Sequence, residues 1–299
     1  MEYRHVPVMV KEVLFYLNCK PGDVIVDATV GGGGHAESIL KMIGSSGKLI
    51  GIDKDGTALL EAEKRLASYR SQLVLVKADF KEIRQTLLSL GFREVDGVLF
   101  DSGVSSLQLD DAKRGFSYNV EGPLDMRMNQ EGPLTAEKVV NTYSRSELAQ
   151  VIKRYGEERW GDRIASFIVE TRRRKPIKTT LELVDVIKAA IPAAARRRGG
   201  HPARRTFQAI RIEVNDELKS LEIALREAIG SLKMKGRITT ISYHSLEDRI
   251  VKRIFKEESL PEFGARLMIL TKRPVRPSSE EIAVNPRSES AKLRAAEKL

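Results

Sequence analysis

Four apolar runs in the first hundred residues, Val24 to Ala28, Leu49 to Ile52, Leu73 to Val76 and Val98 to Phe100, each end in an aspartate or are closely followed by one: Asp27, Asp53, Asp79 and Asp101. Strand-length apolar runs alternating with helical stretches are the pattern of a parallel sheet, whose strands are covered on both faces. In an open sheet of that kind the carboxyl ends of the strands face the ligand crevice. The four aspartates are therefore predicted to share one edge.

The rhythm stops near residue 106, and from there to 205 the pattern is helical. Ser144-x-x-Glu147 and Thr179-x-x-Glu182 read as capping boxes opening helices, and Pro176 and Pro192 as stops. Before these helices, residues 110 to 134 are rich in Gly, Pro and Asp, which predicts a long ordered loop. After residue 205, Phe207, Ile210, Val214, Leu218, Leu221, Leu225, Ile229 and Leu232 predict one long amphipathic helix. Gly236 then introduces a strand over Arg237 to Tyr243, and Leu267 to Leu270 reads as an edge strand. The proline-punctuated tail from Arg273 is expected to be loosely held.

With 41% hydrophobic residues the 299-residue chain can bury a good core, and its apolar runs fall far short of the roughly 20 residues of a membrane span. A cytoplasmic protein is expected. The single cysteine, Cys19, excludes an internal disulfide, and four scattered histidines provide no metal ligand set. The net charge of +10 suits a polyanionic partner, and residues 106 to 205, with 20 Lys and Arg against 13 Asp and Glu, carry +7 of it. The excess sits in Arg172-Arg173-Arg174-Lys175, Arg196-Arg197-Arg198 and Arg204-Arg205. Each run is either a phosphate-binding face or a solvated helix end, and the second and third favour RNA.

The segment Asp27-Ala-Thr-Val-Gly31-Gly32-Gly33-Gly34-His35 falls where the first strand turns into the first crossover helix, and its glycines permit a backbone closed to other residues. Gly31-x-Gly33-x-x-Ala36 also fits the dinucleotide fingerprint, with Asp53 about 20 residues on to hold a ribose hydroxyl. Taken alone, the motif is ambiguous between NAD and S-adenosylmethionine. The acidic strand ends favour the latter, which has a ribose diol, an adenine amine and a cationic aminoacid end needing acceptors. Asp53 would take the ribose, Asp79-Phe80 flank the adenine, and Asp101 face the methionine end.

Phe100-Asp101-Ser102-Gly103-Val104-Ser105-Ser106-Leu107-Gln108 follows the fourth strand, where substrate meets cofactor in this architecture. Together with Asp27 to His35, Arg114-Gly-Phe-Ser117, Gly122-Pro-Leu-Asp-Met-Arg127, Tyr155-Gly-Glu-Glu158, His201-Pro-Ala-Arg-Arg-Thr-Phe-Gln208 and Ile241-Ser-Tyr-His-Ser-Leu-Glu-Asp-Arg249, it resembles the bacterial 16S ribosomal RNA cytosine-N4 methyltransferases, the MraW family. The resemblance covers about residues 5 to 258; Ser102 departs from it, standing where leucine is common. It implies methyl transfer from S-adenosylmethionine to the exocyclic amine of a cytidine in the decoding region of small-subunit ribosomal RNA. It also implies cofactor contacts at Gly33, Gly34, His35, Asp53, Phe80, Asp101 and Gln108, without singling out Asp79. The expected architecture is α/β: a Rossmann-like class I S-adenosylmethionine-dependent methyltransferase sheet, residues 1–105 and 206–299, interrupted by an inserted helical substrate-binding domain, residues 106–205.

A cytosine amine is a poor nucleophile because its lone pair is delocalised into the ring, so an acceptor must draw on its protons while the pair is aligned. Many amino methyltransferases use an Asn/Asp-Pro-Pro-aromatic turn after the fourth strand, which this sequence lacks. Asp101, or a carbonyl in Ser102 to Val104, is the expected substitute. His244 is either a second acceptor or the residue that fixes a strand-to-helix turn, and His35 is either a ligand or a helix cap. Phe116 and Tyr118 either stack on a displaced base or anchor their loop. A Rossmann dehydrogenase and a noncatalytic ribosome-assembly factor are the competing readings.

Overall fold

The apolar runs become β1 (Val24–Asp27), β2 (Lys48–Asp53), β3 (Leu73–Lys77) and β4 (Val95–Asp101). Helix α1 (Val10–Leu17) precedes β1, and α2 (Gly34–Ile43), α3 (Gly56–Arg65) and α4 (Ile83–Ser89) make the crossovers. Then come α5 (Ser106–Asp110), α6 (Ala136–Thr142), α7 (Arg145–Gly156), α8 (Gly161–Arg174), α9 (Thr180–Ala190), α10 (Ala193–Arg196) and α11 (Arg204–Asn215). The chain closes with α12 (Glu217–Gly230), β5 (Leu232–Ser242), α13 (Ser245–Glu258), β6 (Leu267–Ile269), α14 (Ser279–Val284) and β7 (Lys292–Lys298). This computed structural model describes residues 7–196 and 200–299, and the chain divides into one unit of residues up to 103 with 218–299 and a second of residues 104–217.

In the first unit the sheet order is β3-β2-β1-β4-β5-β7-β6, with the first five strands parallel and β7 antiparallel to both its neighbours. Because side chains alternate along a strand, Ile25, Leu49, Leu99 and Ile241 join α1, α2 and α3 in one core. Val26, Ile50, Ile52, Val98 and Phe100 join α4, α12 and α13 in the other. Each fully buried side chain of this kind contributes about 1.5–3 kcal/mol, so both faces are committed and only the strand ends are left for chemistry. This is the Rossmann-like α/β sheet expected of a class I methyltransferase. Among the described residues no helix is long and apolar enough to cross a membrane.

The second unit packs α6 to α9 and α11 around Val139, Leu148, Ile152, Ile164, Ile168, Leu183, Ile187 and Ile210. Both capping boxes occur: Ser144 and Glu147 open α7, and Thr179 and Glu182 open α9. The Gly-rich loop is ordered because it supplies core: Phe116, Leu124, Met126 and Met128 are buried with the helices.

Three expectations from the sequence are corrected. The single helix over Phe207 to Leu232 is two helices, broken at Asp216 with φ +50°. Asp216 ends α11 as a left-handed C-cap whose N–H donates to Ile212 O, and the Asn215 side chain just before it bonds Met126 O and the Met128 N–H. The boundary moves with it: α11 lies in the second unit, where Phe207 and Ile210 are buried, and the return to the sheet comes at residue 218. The tail is not loose. Leu293, Ala295 and Ala296 are buried in β7, and Arg294 Nε donates to Asp248 Oδ1 at 2.6 Å.

Candidate active site

The turn from β1 into α2 is shaped by backbone needs. Gly31 and Gly33 have φ of +51° and +81°, and a Cβ on Gly33 would stand 3.1 Å from Leu66 Cδ1. The Gly31 N–H donates to Asp53 Oδ2 at 2.9 Å and the Gly33 N–H to Val30 O at 2.8 Å. Asp53 Oδ1 accepts from the Asp55 N–H at 2.9 Å, so this carboxylate, at the end of β2, ties the glycine turn to its neighbour strand.

Asp101, at the end of β4, is held from several sides. Its N–H donates to Thr29 Oγ1 at 2.7 Å, the Tyr243 hydroxyl donates to Oδ1 at 2.8 Å, and His35 Nδ1 faces Oδ2 at 3.5 Å. A carbonyl oxygen can only accept, so His35 Nε2, 2.8 Å from Val8 O, carries a proton and donates. Thus His35 anchors the approach to α1 and turns its other nitrogen to Asp101. Burial, then the Asp101 carboxylate, hold the Tyr243 hydroxyl well above its usual value, so it remains a neutral donor. A Cβ on Gly103, whose φ is +115°, would stand 3.2 Å from Tyr243 Cδ2, so this ring also covers the turn after β4.

Asp27 is the third carboxylate of the cluster. It is buried, and desolvation, opposed chiefly by His35, pushes its carboxyl up to about 7. Burial likewise pushes Asp53 up to about 6 against the hydrogen bonds from Asp55 and Gly31. A raised carboxyl pKa favours the protonated folded state, so Asp27 contributes stability below its unfolded value near 4 that is lost as pH rises through about 7. Asp27→Asn is therefore expected to flatten the decline in stability between pH 5 and 8 by about 3 kcal/mol, read from urea unfolding at the two pH values. An unchanged slope would place the titration elsewhere.

Asp79 caps the short 3₁₀ turn that begins at Phe80, accepting from the Lys81 N–H at 3.1 Å, with Lys54 Nζ 3.8 Å away. Phe80 lies edge-on to Phe100 at 6.0 Å, with Lys54 Nζ 5.9 Å from its ring centre. His244 is the N-cap of α13: Nδ1 accepts from the Glu247 N–H at 3.4 Å and Nε2 lies 3.3 Å from Glu247 Oε1, so it fixes the strand-to-helix turn. Gln108, in the second unit, completes a capping box on α5 with Ser105. Phe116 is core and Tyr118 stacks on His201 at 4.6 Å, so both anchor the loop.

Of the basic residues, Arg172 donates to Val140 O and Tyr143 O and closes the end of α6. Arg196 joins Lys188, Ala193 and Pro202 around a surface hollow of about 350 Å³, and Arg204 is exposed. Arg205 is also exposed and donates to Glu157 O at 3.1 Å. Arg197 and Arg198 lie outside the described residues. The sequence places Asp27 at the strand-end edge without a contact and points to no role for Tyr243 or Thr29. Tyr243 was discoverable only as the neighbour of His244; its reach to Asp101 follows from the pairing of β4 with β5, which sets Asp101 beside Ile241.

This arrangement discriminates between the two cofactors. A pyrophosphate needs free N–H groups at the helix start and no nearby negative charge. Here two of the glycine N–H groups are already spent within the turn, and Asp27, Asp53 and Asp101 crowd the strand ends. Such a cluster fits a cation. The model of the MraW methylase family matches residues 2–299. This chain belongs to the MraW methylase family. It is 51% identical, over 99% of its length and 98% of the relative's, to a ribosomal RNA small subunit methyltransferase H of Halothermothrix orenii. It is 50% identical, over the full length of both, to the same-named protein of Clostridioides difficile. Among solved structures, an rRNA methylase of Streptococcus thermophilus shares 10% identity over 99% of both chains with a TM-score of 0.46. As an MraW methylase the protein uses S-adenosylmethionine, and the dehydrogenase reading falls. The residues present fit that cofactor in kind: carboxylates at the ends of β2 and β4 could accept from ribose hydroxyls and a cationic end, and the Phe80 ring could lie against an adenine, beside a turn whose glycines allow close approach.

Proposed function

We propose that this MraW methylase transfers a methyl group to the exocyclic N4 amine of a cytidine in the decoding region of small-subunit ribosomal RNA, in the cytoplasm, with the inserted helical unit holding the RNA. The observation that carries the reading is Asp101 at the end of β4, whose carboxylate accepts from the Tyr243 hydroxyl and whose N–H donates to Thr29 Oγ1. The names of the relatives, ribosomal RNA small subunit methyltransferases, support the substrate. S-adenosylmethionine, when bound, supplies an electrophilic methyl group. Asp101 then acts as the acceptor for an amino proton, localising the lone pair on nitrogen and raising its nucleophilicity. Because its orientation is already set, little reorganisation is left to the moment of reaction. His244 contributes by positioning α13 through its cap.

Arg196, Arg204 and Arg205, with Arg197 and Arg198 by their place in the sequence, contact phosphates and set register without reading bases. Reversing charge at Arg196 to Arg198 should weaken RNA binding and flatten its salt dependence while S-adenosylhomocysteine binding persists. The direct experiment supplies labelled S-adenosylmethionine and small subunits lacking the modification, then hydrolyses the RNA to nucleosides. N4-methylcytidine is the expected product. Label in another nucleoside would overturn the cytosine assignment, and no label with tight RNA binding would favour a noncatalytic assembly factor.

A further inference from the structure

The corner between α7 and α8 carries three further arginines, outside the basic runs. Arg154 lies 5.3 Å from the centre of the Tyr155 ring, Arg159 5.5 Å from that of Trp160, and Arg163 5.4 Å from that of Phe167. All three arginines are exposed, and among the described residues none is paired with a carboxylate, whereas neighbouring Lys153 is bound to Asp162 at 2.5 Å. Trp160 and Phe167 are half-buried against the core of the second unit, so the rings are fixed supports.

The corner itself is rigid. A Cβ on Gly161 would stand 2.8 Å from Lys153 Cγ and one on Gly156 2.6 Å from Arg205 O, so α8 and α11 both press on the end of α7. Arg205 donates to Glu157 O at 3.1 Å and Gln208 to Tyr155 O at 3.0 Å, which brings Arg204 and Arg205 beside the same turn. Exposed arginines thus stand both at the start of α11 and along the α7–α8 corner, where Asp162 is taken up by Lys153.

We propose that this corner is a binding platform for unpaired RNA, in which Arg154, Arg159 and Arg163, backed by Tyr155, Trp160 and Phe167, stack on bases and hold adjoining phosphates. The proposal rests on the reading of RNA as substrate. A guanidinium over a ring keeps outward N–H groups for phosphate and offers a flat, weakly hydrated face to a base. Unpaired nucleotides have exposed faces to stack; the bases of a duplex do not. An acidic protein surface would ask only for charge, and the interleaved aromatics would then have no use.

The test compares two triple variants of the full chain, Arg154→Ala/Arg159→Ala/Arg163→Ala and Arg154→Lys/Arg159→Lys/Arg163→Lys. Each is titrated with a fluorescent single-stranded oligoribonucleotide and with a duplex of the same length across salt concentrations. The alanine variant is expected to lose about tenfold or more in affinity for the single strand and far less for the duplex. The lysine variant, with its charge intact, should keep the salt dependence yet still lose several-fold. Unchanged single-strand affinity in the alanine variant would overturn the proposal, as would full affinity in the lysine variant or equal loss for duplex and single strand. Circular dichroism and stabilisation by S-adenosylhomocysteine report whether each unit remains folded, and the lysine variant keeps the test available if the alanine one does not fold. If the wild-type chain makes no N4-methylcytidine but the binding pattern holds, the catalytic reading fails and the platform stands.

Discussion

Asp101→Ala is expected to lower single-turnover methyl transfer by about 10²–10⁴-fold at saturating S-adenosylmethionine, the range for removal of a positioned proton acceptor. Asp101→Asn should be nearly as damaging. The asparagine keeps the shape and its oxygen can still accept from Tyr243, but without the carboxylate's charge it is a far weaker acceptor for an amino proton. Tyr243→Phe removes one hydroxyl and should fall between, with roughly a tenfold loss, because Asp101 keeps its charge but loses a fixed orientation. Rapid-quench assays with radiolabelled cofactor measure all three. Full turnover in both Asp101 variants would move the acceptor role to a backbone carbonyl of the turn that follows.

The second large effect is on stability. Gly115 has φ +69°, and a Cβ there would collide with Pro123 O and stand 2.8 Å from Asp125 N; a Cβ on Gly122 would collide with Ala112 O. All of these obstacles are backbone, which cannot rotate away as a side chain can. The loop cannot shift as a whole either, since it places Phe116, Leu124, Met126 and Met128 in the core of the second unit. Gly115→Ala or Gly122→Ala should therefore cost about 3 kcal/mol or more and lower that unit's melting transition by at least roughly 12 °C. RNA binding should be lost with it, while S-adenosylhomocysteine still binds the separately cored first unit. Scanning calorimetry with and without S-adenosylhomocysteine separates the two transitions. Gly56→Ala, where the nearest atom is Lys77 Cε at 3.9 Å, is the neutral control. Equal Tm values for Gly115→Ala and the control would show that the loop is softer than its packing implies.

What could be read from the sequence was whatever a local rule controls. The parallel strands were legible because a doubly covered strand has to be apolar throughout, and the capping boxes because Ser144 and Thr179 act three residues away. Asp53 and Asp101 were legible as strand ends. The break at Asp216 was not, because the apolar repeat passes straight through it and the backbone that Asn215 bonds beside it, at 126–128, is some ninety residues distant. Strand β7 was hidden for a related reason: Leu293, Ala295 and Ala296 lack the β-branched and aromatic side chains that mark strands, and pairing with β5 supplies what propensity does not. Arg205 looked like a free cation until the end of α7 was seen to lie against it. His244 and Glu247 belong to the motif shared with the family, and in the fold they form a helix cap.

The sheet order carries a consequence for how the molecule is made. Among the described strands β7 is last in the chain, yet it lies between β5 and β6, so the sheet stays open on that side until residue 298 has left the ribosome. The helical unit, a continuous stretch from 104 to 217, is by then already synthesised. At synthesis rates of roughly 5–20 residues per second, it has several seconds in which to fold before the sheet can close. The nascent chain can thus complete the core of its helical unit before the strands of its sheet are all available.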